Sequence, residues 1–224
     1  GKQQVSWGKM DGQFIDIINA MDRREAVQLE SEDYEWRRLP TWMVNTTFHF
    51  GLNSLQLLYI FGFEEDRQAL PGSPWYSPAI PPPGLDIRRP VRHPRDGDFG
   101  DHEYGVRFDR AVGALTYGFV YAYLWDRNPT DRVLGTALVG GQRVLELQGQ
   151  HERLHHFGAT ADYATTLPRL PWLGALPAVF RVEALYTKDV RYVDYARQAA
   201  ARAGQLNDGT DLHDTLRAAV ACRA

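Results

Sequence analysis

Leu115–Trp125, read as LTYGFVYAYLW, is the stretch that decides the fold. Its alternate residues Leu115, Tyr117, Phe119, Tyr121, Tyr123 and Trp125 are large and apolar or aromatic. Thr116, Gly118, Val120, Ala122 and Leu124 stand between them and are mostly small. Successive side chains of a strand point to opposite faces, so a period of two sustained this far predicts a β-strand. At about 3.3 Å per residue the segment spans roughly 35 Å. That is long for a strand of a soluble domain and suits a tilted strand crossing a bilayer.

The pattern recurs. In Thr41–Gly51, Trp42, Val44, Thr46, Phe48 and Phe50 oppose Met43, Asn45, Thr47 and His49, and in Ser54–Phe63 the odd-numbered residues from Leu55 to Phe63 share one face. Gly51-Leu52-Asn53-Ser54 between them has turn chemistry, which makes a hairpin. His102–Arg110 opposes Tyr104, Val106 and Phe108 to Glu103, Gly105, Arg107 and Asp109. Ala178–Thr187 opposes Phe180, Val182, Ala184 and Tyr186 to Val179, Arg181, Glu183, Leu185 and Thr187. Weaker alternation covers 152–164 and 214–224. The expectation is one all-β domain over 1–224, with strands at about 2–8, 41–51, 54–63, 102–110, 114–125, 152–164, 178–187 and 214–224.

The connections alternate as well. Those at 9–40, 64–101, 126–151 and 188–212 are long, and those at 51–54, 111–114 and 165–177 are shorter. An antiparallel up-and-down meander with long loops at one end and short turns at the other is the plan of a transmembrane β-barrel. The 64–101 connection carries eight of the 13 prolines, so it predicts neither a helix nor a central strand. Phe14, Ile17, Ile18 and Met21 fit a short helix, as does 192–203. Part of 126–151, Arg143–Gln150, would extend a neighbouring strand.

The totals limit function. A net charge of −3 with no basic run gives no electrostatic case for nucleic acid. No run of 18 apolar residues occurs, which excludes a membrane-spanning helix but not a spanning barrel. A single cysteine, Cys222, excludes an internal disulfide framework. No GxSxG, HExxH, P-loop or GxGxxG motif is present, and the chain does not read as an enzyme. Among seven histidines, His151, His155 and His156 stand closest. On a strand His155 and His156 point to opposite faces, and His151 falls in a loop, so no metal and no cofactor are expected. The opening KQQVSWGK reads as strand and the last residues as the start of another, so the chain is expected to be part of a longer protein.

A half-buried sheet of a soluble protein would also alternate. Aromatics gathered at strand ends and charges inside strands favour the barrel. In that reading Trp42, Phe48, Tyr117, Phe119, Tyr121, Tyr123, Phe180 and Tyr186 face lipid. Glu103, Arg107, Asp109, Arg181 and Glu183 line a polar lumen. Trp75, Arg88 and Arg89 of the proline-rich connection form a constriction.

The segments QQVSWGKMDG, IINAMDRRE, RRLPTWMVNTTFHFG, LQLLYIFGFEEDR and PGSPW resemble, in this order, a large uncharacterised family of Gram-negative outer-membrane β-barrel proteins, catalogued as a domain of unknown function. The likeness continues through HEYGVRFDRAVGALTYGFVYAYLW and HERLHHFGAT to FRVEALYT. Trp7-Gly8, the Asn19–Asp22 element and Pro71-Gly72-Ser73-Pro74-Trp75 carry it most specifically. Ala20 stands where the family pattern has proline. The resemblance implies a fragment of a longer barrel, here a curved open sheet, in the cell outer membrane. Its implied role is porin-like transport or binding of a small, hydrophobic solute, with outer-membrane lipid as partner and no catalytic residues. The alternatives are a loop-mediated binding or structural barrel without a conducting pore and, last, a soluble β-sandwich enzyme.

Overall fold

In the computed structural model, which describes residues 1–9, 15–24, 37–69, 72–73, 85–88, 90–170, 174–203, 205 and 207–223, the alternating segments pair as strands. In chain order these are β1 (Lys2–Gln3), β2 (Thr41–Phe50), β3 (Asn53–Ile60), β4 (Leu85–Arg88), β5 (Val91–Arg92) and β6 (Glu103–Val112). Then follow β7 (Leu115–Trp125), β8 (Thr130–Val139), β9 (Gln142–Gln150), β10 (Arg153–Leu170), β11 (Gly174–Val193) and β12 (Thr210–Arg223), with the α-helix α1 (Tyr195–Arg202) between the last two. Eight strands form one sheet in the order β1-β2-β3-β6-β7-β10-β11-β12. Every neighbouring pair in it is antiparallel. β1 and β12 are its two edges, so the sheet is open.

Short turns sit at one end. β2 meets β3 through Gly51-Leu52, and β6 meets β7 through Gly113-Ala114. Gly51 and Gly113 both have φ of 60°, the left-handed backbone that a two-residue hairpin of matching twist requires. The long connections β3–β6, β7–β10 and β11–β12 leave from the other end.

Cross-strand register lines the apolar residues up in rows. One row runs Phe48–Leu55–Phe108–Phe119–Ala159–Ala184–Ala218 across seven strands. The next runs Thr46–Leu57–Val106–Tyr121–Phe157–Tyr186–Leu216. This outer face is bare: Phe119 is 58% exposed, Phe48 51% and Leu216 71%. The opposite, inner face holds the row Ser54–Asp109–Gly118–Thr160–Glu183–Ala219 and the row Gln56–Arg107–Val120–Gly158–Leu185–Arg217.

The inner face is covered by the chain's own N-terminal segment. Val5, Trp7, Ile15 and Ile18 are buried there with Met43, Leu58, Ile60, Val120, Ala122, Leu124 and Leu185. Each large side chain so buried contributes about 1.5–3 kcal/mol. Trp7 lies over Gly105, where an added Cβ would come within 2.8 Å of the indole. Its ring N–H donates to Gln56 Oε1 at 2.8 Å.

Several expectations are corrected. The strand expected at 2–8 stops at Gln3. Val5, Trp7 and Gly8 donate their backbone N–H groups to side chains instead, namely Asn19 and Asp16. The 126–151 connection is a hairpin, β8–β9. It prolongs the β7–β10 pair, since Asp126 N–H donates to Glu152 O at 2.7 Å between the two paired stretches. The proline-rich connection contributes β4 and β5, which lie parallel along one edge of β9 and are separated by Pro90. That edge placement is where proline is tolerated. The described part of 14–21 is turn and irregular backbone, not helix. β11 reaches Val193 rather than Thr187 and β12 starts at Thr210 rather than 214, while a helix does form within 192–203. α1 is capped by Asp194, whose carboxylate accepts from Ala196 N and Arg197 N. Its Ala201 packs on Val133, Leu145 and Leu147 of β8–β9.

Gly105→Ala is expected to cost about 1–3 kcal/mol through overpacking against Trp7. In a Trp7→Ala background that cost should shrink, and equilibrium unfolding of the four proteins in the double-mutant cycle measures the difference.

Candidate functional site

The inner face carries charge, and burial dictates how that charge is held. Glu103 is 2% exposed, Arg107 9% and Glu183 1%, while Asp109 and Arg181 are half-buried. All five residues expected on a lumen therefore share this face, and most of them are bound to the N-terminal segment or to one another. Arg107 clasps Asp109 at 2.6 and 2.9 Å and donates to the Trp7 carbonyl at 2.6 Å. Glu183 accepts from Lys9 N–H, Arg181 donates to Lys9 O at 3.2 Å, and Lys9 Nζ meets Asp162 at 2.7 Å. Glu103 pairs with Arg127 at 3.1 Å and accepts from Trp125 N–H at 2.7 Å. Isolated charges in such a place would cost several kcal/mol each, so the pairing is a condition of the fold.

The eight aromatic residues expected to face lipid all lie on the outer face. Trp42, Phe48, Phe119, Tyr121 and Phe180 are exposed, and Tyr117, Tyr123 and Tyr186 are half-buried. At the long-connection end Arg153 lies over the rings of Tyr123 at 4.9 Å and Trp125 at 4.5 Å. Of the expected constriction, Trp75 and Arg89 lie outside the described residues. Arg88 belongs to β4 by its backbone.

Two polar side chains that no catalytic motif had marked hold the N-terminal segment in place. Asp16 accepts from Ser6 Oγ, Trp7 N and Gly8 N at 2.7–3.1 Å and pairs with buried Arg38. Asn19 accepts from Val5 N at 2.7 Å and donates to Gln3 O and Leu39 O at 3.1 and 2.9 Å. Asp66 does similar work one layer out, accepting from Met21 N, Arg23 Nε and Asn128 Nδ2 at 2.8–3.0 Å.

Beside this segment, at the long-connection end of the inner face, lies a cavity of about 750 Å³. Ile17, Met21, Leu154 and Val190 give it apolar walls, and Asp66, Asp126, Arg127, His156 and Arg191 polar ones. Arg127 is 7% exposed. It donates through Nη2 to Ile18 O and Glu103, while its buried Nε and Nη1 have no hydrogen-bond partner among the described residues. Elsewhere in the lining His156 Nδ1 meets Thr187 Oγ1 at 2.9 Å. Burial pushes the Asp126 carboxyl above its ordinary range and the nearby His151 imidazole below it. His155 and His156 point to opposite faces, so they do not share a ligand. The group among the described residues whose donor atoms converge closely enough to hold a metal ion is instead Glu65, His93 and His151, next to the cavity. Nothing in the spacing of 65, 93 and 151 signals it.

These features define an open antiparallel β-sheet protein whose charged inner face is filled by its own N-terminal segment. The chain belongs to the family described as "Protein of unknown function (DUF1302)", whose model matches residues 1–221. Searches of curated proteins and of solved structures gave no match.

Asp16→Asn keeps the shape of this side chain and removes its charge beside Arg38. It is expected to lower stability by about 3–5 kcal/mol in urea unfolding, because a buried pair is broken from one side.

Proposed function

We propose that this chain forms a wall of an outer-membrane β-barrel of a Gram-negative bacterium, one that passes or binds a small, hydrophobic solute. The observation that carries the reading is the polarity of the eight-stranded sheet. Apolar rows are bare on one face, while ionisable side chains are buried on the other. In water such a bare face would be a severe association hazard; in hydrocarbon it is the required surface. The Arg153–Tyr123–Trp125 stack suits the interfacial belt where aromatic and cationic side chains anchor. Among the described residues the sheet is open at β1 and β12, as a stretch of such a wall would be.

In this reading the N-terminal segment is a plug. The solute lies in the cavity beside it, its apolar part against Ile17, Met21, Leu154 and Val190, with a carbonyl or acidic group toward the cationic Arg127. The cavity volume falls in the range of small-molecule sites. The burial of Trp7, Ile15 and Ile18 against the sheet also favours a second reading, a barrel that binds through its long loops without conducting. Reconstitution of the natural protein in planar bilayers separates the two. Conductance or solute flux supports passage; a silent bilayer supports the binding barrel.

The membrane placement has its own test. Phe119→Arg puts a charge on the outer face at a cost of about 2–4 kcal/mol near the bilayer midplane and is expected to abolish assembly in the outer-membrane fraction. Thr47→Arg, one row away on the inner face and exposed, should still assemble. Equal behaviour of the two variants contradicts lipid contact at Phe119.

A further inference from the structure

His151 is the most completely buried histidine of the long-connection end. Its side chain is 1% exposed and sits in the two-residue link between β9 and β10. Nδ1 lies 2.7 Å from the backbone carbonyl of Asp126, an acceptor only, so Nδ1 carries the hydrogen of that bond. The other ring nitrogen, Nε2, then presents its lone pair, and it has no hydrogen-bond partner among the described residues. It stands 3.5 Å from Glu65 Oε2. His93 Nδ1 approaches the same carboxylate oxygen at 3.5 Å from the far end of the proline-rich connection. The three donor atoms lie within 4.8 Å of one another.

Electron pairs on two imidazoles and a carboxylate repel when they converge, and a buried acceptor without a donor is costly. A cation at their centre turns the same arrangement into an attractive one. We propose that Glu65, His93 and His151 bind a divalent transition-metal ion, with zinc(II) the best fit. For metal–ligand bonds of about 2.0–2.1 Å, two ligands of a tetrahedral zinc stand about 3.4 Å apart. Both Glu65–histidine separations already match that spacing. The remaining separation would close by rotation of His93, whose side chain is 48% exposed.

The second layer fits as well. A ligating histidine characteristically donates its far N–H to a carbonyl or carboxylate, which fixes ring and tautomer, and the Asp126 carbonyl does this for His151. Phe63 packs edge-on against the His151 ring at 4.8 Å between centroids and further restricts it. Imidazole and carboxylate ligands favour zinc, copper or nickel over calcium and magnesium, which take oxygen ligands alone. Three protein ligands leave a fourth position for water.

Each ligand comes from a different piece of chain. Glu65 follows β3, His93 follows β5 and His151 precedes β10. A bound ion would therefore tie both ends of the proline-rich connection to the link between the two sheets. Its effect is a local staple beside the cavity, independent of whether the outer face meets lipid.

Zinc titration of the natural protein, first stripped with EDTA, tests this by calorimetry and thermal unfolding. The expected result is one Zn²⁺ per chain, a raised melting temperature, and an X-ray absorption spectrum of nitrogen and oxygen ligands that include imidazole. Magnesium should not compete. His93→Ala and Glu65→Gln change exposed side chains and leave the buried packing intact, so both should fold, as circular dichroism checks. Each is expected to weaken zinc binding at least tenfold. Failure to bind one equivalent of zinc overturns the proposal, and so does undiminished affinity in both variants.

Discussion

Glu103, Arg107 and Glu183 stand on the inner face of a sheet with less than a tenth of their surface in solvent, and charges so placed survive only when paired. The pairing partners are not cross-strand neighbours alone. Lys9, the carbonyl of Trp7 and Arg127 reach them from outside the sheet. The N-terminal segment is thus the electrostatic complement of the inner face as well as its apolar filling. Asp16 and Asn19 give that segment its shape by accepting the N–H groups that it no longer offers to a strand. The early departure of the chain from β1, the tightness at Gly105 and the position of the cavity all follow from this one requirement.

The outer face answers to the opposite constraint. Its rows of Phe, Tyr, Leu and Val are left exposed or half-buried by the described chain. A sheet with one face sealed by ion pairs and packed side chains and the other left bare is the arrangement that a low-dielectric exterior would require. That arrangement links the fold to the proposed membrane role more directly than any single residue does.

The sequence made the walls legible because a strand's period of two survives in the order of residues. β2, β3, β6 and β7 follow their alternation to within a few residues. Where the ladder is irregular, the alternation fails and so did the reading. β8 shifts register between Val133 and Gly135, which hides it. β11 shifts between Thr187 and Val190, with Asp189 at a φ of 59°, and that is where the strand was expected to end. The inner position of Glu103, Arg107, Asp109, Arg181 and Glu183 was readable from parity alone. Their partners were not, since Trp7 and Arg107, or Lys9 and Glu183, meet only through tertiary packing. The same holds for Glu65, His93 and His151, whose convergence depends on the two ends of one long connection and a separate link that carry no common period.

Site-directed spin labelling along β2 in lipid bilayers tests the central claim, that the outer face meets hydrocarbon. Labels at Val44, Thr46 and Phe48 sample that face, and labels at Asn45 and Thr47 the other, after replacement of the free Cys222. Oxygen accessibility is expected to alternate with a period of two and to be high at 44, 46 and 48, with the reverse order for a water-soluble relaxation agent. High accessibility to the water-soluble agent at all five positions would contradict it.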